Sequence, residues 1–201
     1  MPRYKLVPPS SSGLGYQVLI LETGVRLPLG VLFFWVRVMD IRLSPLAPAD
    51  RAGIVDLFNY YIEHGFAAFA EQPMPLAFAD RLLELARGYP TVAAKDPSGR
   101  LLGFGLLRPH NPLSTFSHTA EITYFLAADC TRQGLGTRIL QELERGARTK
   151  GIRTLLAGIS SLNEASLAFH RKHGFVEAGR FRQVCIKKGT PFDVVWMQKM
   201  L

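Results

Sequence analysis

The sequence predicts a mixed α/β sheet domain. Three observations carry that expectation. Stretches with strand-like and helix-like hydrophobic spacing alternate along the chain. They read as a meander of hairpin-linked strands first and as helical crossovers later. The 201 residues are 48% hydrophobic and 20% charged, which suits a full core and argues against disorder.

Residues 1–38 differ from the rest. They open on a Pro/Ser/Gly-rich lead and turn apolar, most strongly over Leu27–Val38. That run is interrupted by Pro28, Gly30 and Arg37 and falls short of the ~20 apolar residues of a membrane span. No stable membrane insertion is expected. The segment reads as an N-terminal extension: a membrane-surface stretch, an extra strand or weakly ordered arm, or translation upstream of Met39. The domain itself is expected to span 39–201.

From Met39 each element has its own signal. "DIRLSPL" is a short strand. Ile54, Leu57, Phe58, Tyr61 and Ile62 share a helical face, with Ala49-Asp50 as its start and Gly65 as its end. Leu82, Leu83, Leu85 and Ala86 mark a second helix that stops at Gly88 and Pro90. "TVAAK" and "RLLGFGLLR" flank the turn "DPSG" and form a hairpin. "HTAEITYFLA" is a third β-rich run. A glycine loop and a helix to about Lys150 follow, then the strand "TLLAGIS". Asn163 caps the helix "EASLAFHRKH", and Gly174 stops it. "VEAGRFRQVCIKK" and "DVVWMQKML" close the chain as strands.

The loop "TRQGLG", Thr131 to Gly136, joins a strand to a helix. Amides at a helix start lack intrahelical partners, and glycine lets a ligand approach them. Such a junction is an anion site in principle. It is neither a P-loop nor a dinucleotide fingerprint, having no G-K-[ST] and no third glycine. From spacing alone a plain tight turn explains it equally well.

The surrounding residues resemble the GNAT superfamily of N-acetyltransferases. The loop Thr131-Arg132-Gln133-Gly134-Leu135-Gly136 is similar to the family's pyrophosphate loop. "NEASLAFHRKHGF", Asn163 to Phe175, is similar to its second cofactor segment. "FNYYIEHGFAAFAEQP", "HTAEITYFL" and "GTPFDVVWMQ" look like the phosphinothricin/methionine sulfoximine N-acetyltransferase branch. The resemblance implies a GNAT-type α/β (α+β) fold, with a mostly antiparallel twisted sheet, flanking helices and splayed central strands that bind CoA. It implies transfer of acetyl from acetyl-CoA to the primary amine of a small molecule, an amino acid or analogue, with no metal. It also implies a homodimer formed through the C-terminal strands.

Site residues follow from the same resemblance. Glu121 is the expected base, and alternation places it on the strand face of Thr123 and Phe125, away from Ile122, Tyr124 and Leu126. His170 stands where the branch carries a catalytic histidine. An unperturbed pKa of ~6.5 lets imidazole exchange protons near neutrality. His173, His118, His110 and His64 are expected to be ordinary surface or packing residues. The cofactor is expected against Tyr124, Phe125, Leu126 and Ala127, against Thr131 to Thr137 (with Leu135), and against Asn163 and Ser166. A plain N-cap is itself a sufficient role for Asn163. Phe66, Phe69 and Glu71 are expected near the substrate.

Two departures qualify the likeness. Thr131 stands where the loop motif carries Gln or Arg, with Arg132 adjacent. Ala70 stands where the herbicide-acetylating relatives carry an arginine, the natural bidentate partner of a substrate carboxylate. Cys130 reads as a small residue packed at a strand end. Two cysteines are too few for a disulfide scaffold and suit a cytoplasmic protein. The net charge of +8 invites a nucleic-acid reading, but the basic residues are scattered and no helix-turn-helix, zinc or RNP signature is present. A peptide or protein amine as acceptor, or a non-catalytic acyl-CoA-binding module, are the remaining alternatives.

Overall fold

The computed structural model describes residues 40–201 in full and, ahead of them, only the backbone of three short strands: β1 (Tyr4–Val7), β2 (Val18–Leu21) and β3 (Arg26–Pro28). Those three form an antiparallel sheet in the order β1-β2-β3. Chain contacts divide the molecule into Met1–Ile41 and Arg42–Leu201. Beyond the backbone of β3, the apolar run Leu27–Val38 lies outside the described residues. Among the described residues no helix is long and apolar enough to cross a membrane.

Within Arg42–Leu201 a seven-stranded sheet has the order β4-β5-β6-β7-β8-β10-β9. Its strands are β4 (Arg42–Ser44), β5 (Thr91–Lys95), β6 (Leu101–Pro109), β7 (Thr119–Leu126), β8 (Thr154–Ser160), β9 (Val176–Lys187) and β10 (Thr190–Met200). Every neighbouring pair is antiparallel except β7 and β8. The expected β5–β6 hairpin closes over Asp96, whose Oδ1 accepts the amides of Ser98 and Arg100.

Four helices cover the sheet: α1 (Arg51–Glu63), α2 (Leu76–Leu85), α3 (Leu135–Thr149) and α4 (Glu164–Lys172). Alternation along β7 assigns their faces. Phe125 meets Phe58 and Tyr61 of α1, so α1 lies on the face of Glu121, Thr123 and Phe125. Tyr124 meets Phe169 and His170 of α4, so α4 lies on the other face. α3 shares that second face and buries Leu135, Ile139, Leu143 and Ala147 at four-residue spacing. Covered on both sides, the central strand β6 is buried from Leu101 to Leu107.

Small differences from the sequence reading occur at element ends. α1 stops at Glu63 with His64 as its C-cap, because the His64 amide closes the last turn onto the Tyr60 carbonyl. Gly65 therefore begins the loop rather than ending the helix. α2 stops at Leu85, and the chain then turns through Gly88. β10 starts at Thr190, three residues before "DVVWMQKML", because Thr190, Pro191 and Phe192 pair with Lys187, Ile186 and Cys185. β9 carries a bulge around Arg182–Gln183, where its register against β10 jumps from Cys185 to Phe181. Asp193 holds the bulge, accepting the Gln183 amide at 2.8 Å and the Arg180 guanidinium at 3.1 Å.

Candidate active site

The single parallel pair is short. Thr119, Ala120 and Glu121 pair with Thr154, Leu155 and Leu156, and the ladder ends there. β7 continues to Leu126 beside β6, while β8 continues to Ser160 beside β10. The two strands therefore part immediately after Glu121.

Hydrogen-bond parity shows what lines the gap. The Ala127 amide donates to Leu102 O at 2.8 Å, which turns the amides and carbonyls of Phe125 and Thr123 toward β6 as well. Those of Tyr124 and Leu126 point the other way, toward β8. The Leu126 carbonyl accepts the Tyr61 hydroxyl at 2.8 Å. Ala127 has both backbone groups engaged, since its carbonyl also accepts the Cys130 amide. Of the four expected β7 contacts, the open edge is thus built by Tyr124 and Leu126. Phe125 belongs to the α1 face, and Ala127 closes the strand end.

Glu121 sits at the parting point with its side chain 13% exposed. Its Oε2 accepts from Arg108 Nη2, and its Oε1 accepts from His110 Nδ1 at 2.8 Å. Arg108 faces Glu121 directly across the β6–β7 ladder. His110 is more than a surface residue: its ring also meets Phe116 and Trp196. The sequence reading missed Arg108, His110 and Trp196. The hairpin register could have found the first, because Arg108 and Glu121 are opposite charges on facing strand ends.

His170 lies on the other face and is only 3% exposed. Its Nδ1 is 2.7 Å from the Ser166 carbonyl, which can only accept, so Nδ1 carries the proton. Its Nε2 then accepts from the Tyr124 hydroxyl at 2.6 Å, and the two rings stack at 17°. Burial holds the imidazole at a pKa of about 4 and pushes the Tyr124 phenol well above its ordinary value. Both ring nitrogens are thus engaged within the fold, and the Nε2 bond holds the Tyr124 ring.

The loop before α3 is held by its own side chains. Thr131 Oγ1 donates to Ala128 O at 2.9 Å, and Gln133 Nε2 donates to Asp129 O at 2.7 Å. Arg132 has φ +58°. Gly134 is the N-cap of α3 at φ +83°, a conformation costly for any side chain, and no side chain caps the helix. The amides of Leu135, Gly136 and Thr137 thus begin an uncapped helix, the arrangement that receives an anion. Gly136 has a different reason to be small. A Cβ there would stand 3.3 Å from Leu126 Cδ1 and 3.3 Å from Phe169 Cε2, so the residue lets α3 lie against β7 and α4. Thr137 Oγ1 is 3.1 Å from His173 Nε2. Asn163 caps α4 by accepting the Ser166 amide at 3.2 Å.

The expected substrate residues are not all placed alike. Phe66 and Phe69 pack on Phe192 of β10, with ring centroids 5.6 and 5.9 Å away. Glu71 Oε1 accepts the Lys188 amide at 2.7 Å and so serves the β9–β10 hairpin. No cluster of three or more His, Cys, Asp or Glu side chains suited to a metal occurs among the described residues.

Residues 54–175, which hold the parting strands, Glu121, the loop, α3 and α4, match the family model described as the acetyltransferase (GNAT) family. The chain is a member of the GNAT acetyltransferase family. A methionine sulfoximine/methionine sulfone acetyltransferase of Pseudomonas aeruginosa is 33% identical to this GNAT chain over 162 residues, which cover 80% of the chain and 94% of the relative. A ribosomal-protein-alanine N-acetyltransferase structure from Brucella melitensis superposes with a TM-score of 0.74 at 31% identity, covering 80% of this chain and 99% of that one. A phosphinothricin acetyltransferase of Sinorhizobium meliloti, solved with acetyl-CoA, gives a TM-score of 0.75 at 26% identity, covering 81% of this chain and 89% of that one. The GNAT-type sheet expected from the sequence is the one observed.

Proposed function

We propose that this GNAT protein transfers acetyl from acetyl-CoA to the primary amine of a free amino acid or amino-acid analogue of the methionine sulfone and sulfoximine type. The observation that carries the reading is the position of Glu121 at the point where β7 and β8 part. From there β7 runs on without β8 as a partner to Leu126, whose side chain lies against the uncapped start of α3. The edge at Tyr124 and Leu126 suits the amide groups of a pantetheine arm, and the α3 amides suit its pyrophosphate. Acetyl-CoA supplies an activated acyl thioester. The chain's residues then do three things. Glu121 accepts the proton that an ammonium must lose before its nitrogen can form the new C–N bond, directly or through water. Arg108 pairs with that carboxylate and holds it in place. Tyr124, held by His170, lends its backbone groups to the edge, and CoA departs as the thiolate when the C–S bond breaks.

Arg108 also answers the absence of an arginine at Ala70. Its side chain is 37% exposed and is free to pair a substrate carboxylate while it holds Glu121. Acetyl-CoA consumption over free amino acids, their sulfone and sulfoximine analogues, polyamines and peptide N-termini tests the reading. Free amino acids or their analogues are expected to turn over best, whereas turnover of peptide N-termini alone would move the chain to protein acetylation. For an accepted amino acid, Arg108→Gln is expected to raise KM about tenfold or more, the worth of a charge-assisted pair. The decarboxylated amine should keep its KM within a factor of two, and a parallel rise for both amines would take Arg108 out of substrate binding.

Gly134→Val tests the loop. A β-branched residue at φ +83° costs about 1–2 kcal/mol, so the loop is expected to shift and acetyl-CoA affinity to fall about tenfold by calorimetry. Equal affinity of variant and parent would remove the loop from the cofactor site.

The reading places the acetyltransferase domain at 39–201 and treats 1–38 as an extension, which the division of contacts at Ile41 supports. A cysteine content of two residues supports a cytoplasmic setting. β9 supports a homodimer through the C-terminal strands: it is the sheet's outer strand and exposes Val176, Phe181, Val184 and Ile186.

A further inference from the structure

Lys187, the last residue of β9, is fully buried, yet its ammonium meets no carboxylate among the described ion pairs. Nζ donates instead to two main-chain carbonyls of the α1–α2 loop, Gly65 O at 2.7 Å and Ala68 O at 2.8 Å. The Phe66 ring lies between them in sequence, with its centroid 6.0 Å from Nζ. The neighbouring residue adds two ties: Lys188 N donates to Glu71 Oε1 at 2.7 Å, and Lys188 Nζ donates to Glu63 O at 2.6 Å. At the loop's far end the Asn59 side chain holds both backbone groups of Met74, at 2.7 and 3.1 Å.

This loop has neither helix nor strand between Gly65 and Pro75. Its carbonyls have no ladder to join, and a buried carbonyl must be satisfied somehow. A charged donor is an expensive way to do so, because burying an ammonium costs several kcal/mol. What the ammonium achieves is a single fixed path for Gly65–Ala68, and with it the positions of Phe66 and Phe69.

Those rings lie on the β10 face that also carries Trp196. They pack on Phe192. Two pleats along the same face of β10 is Trp196, which meets His110, and His110 holds Glu121. We infer that Lys187 is a positioning residue for the amine substrate: through two carbonyl hydrogen bonds it fixes the α1–α2 loop, and so it sets the affinity for the amine and leaves cofactor binding alone. The inference rests on the amino-acid acetyltransferase reading above.

The test is Lys187→Met, which keeps the stem and removes the donors, beside Lys187→Gln, whose amide retains two N–H donors without the charge. Methionine sulfone is the amine probe for the full chain. For the Met variant, KM for the amine is expected to rise at least tenfold, with kcat at saturation within threefold and acetyl-CoA affinity within twofold. Amide hydrogen exchange over residues 65–71 is expected to quicken selectively. The Gln variant is expected to recover part of the lost KM. It also carries the test alone if the Met variant fails to fold, since a KM within twofold of wild type together with faster loop exchange would overturn the inference. Met and Gln variants with unchanged KM would overturn it too, as would a fall in acetyl-CoA affinity equal to the rise in KM. A wild-type chain that acetylates no free amino acid defeats the parent reading instead, and is recognised before any variant is made.

Discussion

Glu121→Gln is expected to lower kcat a hundredfold or more while acetyl-CoA affinity stays within about twofold. The glutamine keeps the size of the side chain and can still accept a hydrogen bond from Arg108 or His110, so the strands should still part at the same place. What it cannot do is take a proton. The amine then reacts only through the small fraction already neutral in solution. That fraction grows tenfold per pH unit below the amine's own pKa, so the variant should be partly rescued at high pH and the parent much less. Steady-state rates from pH 7 to 10, with isothermal titration of acetyl-CoA, separate the cases. A variant with parental kcat at pH 7 would assign proton removal to water alone and leave Glu121 a structural partner of Arg108.

Acidification is expected to unfold the protein through His170. The sign follows from where the proton binds. The unfolded imidazole titrates near 6.5 and the buried one near 4, so the unfolded chain takes the proton first. The stability contributed by the neutral ring is therefore complete above about pH 6.5 and is lost progressively as pH falls toward 4. Two and a half pH units correspond to about 3 kcal/mol, a large share of the stability of a small domain. His170→Gln removes the titration while leaving an acceptor for the Tyr124 hydroxyl. At pH 7 the variant should be less stable than the parent, by about 1 kcal/mol for imperfect hydrogen bonds. Between pH 6.5 and 4 the gap should close or invert. Chemical denaturation at four pH values across that window decides it, and parallel curves for the two proteins would mean that His170 binds its proton as readily in the fold as in the unfolded chain.

Much of this arrangement was legible in the residues. The 3.6-residue spacing of α1 and α3, the Asp96 turn and the Asn163 cap are local signals, and each element formed where its signal lay. Alternation alone put Glu121 on the face of Phe125, and the structure keeps it there with little exposure. The cross-chain facts were not legible. That His110 touches Glu121 depends on how the nine residues after Pro109 loop back to β7, and no periodicity encodes that path. The pairing of Tyr124 with His170 joins residues 46 apart whose elements meet only once α3 has crossed the sheet. It also sets the surroundings of His170, which is buried with both ring nitrogens bonded within the fold. Lys187 was hidden for the same reason: in the sequence it is one of two adjacent lysines, and only the fold shows which of them is inside.

The edges of the seven-stranded sheet are unequal, and this asymmetry governs how copies of the chain can join. One edge, β9, is twelve residues long; the other, β4, is three. Two copies that add strand to strand across β9 consume the long edge of each and leave only β4 at both outer ends. A three-residue ladder is too short to template another sheet. A symmetric pairing through β9 would therefore leave no long edge of this sheet exposed.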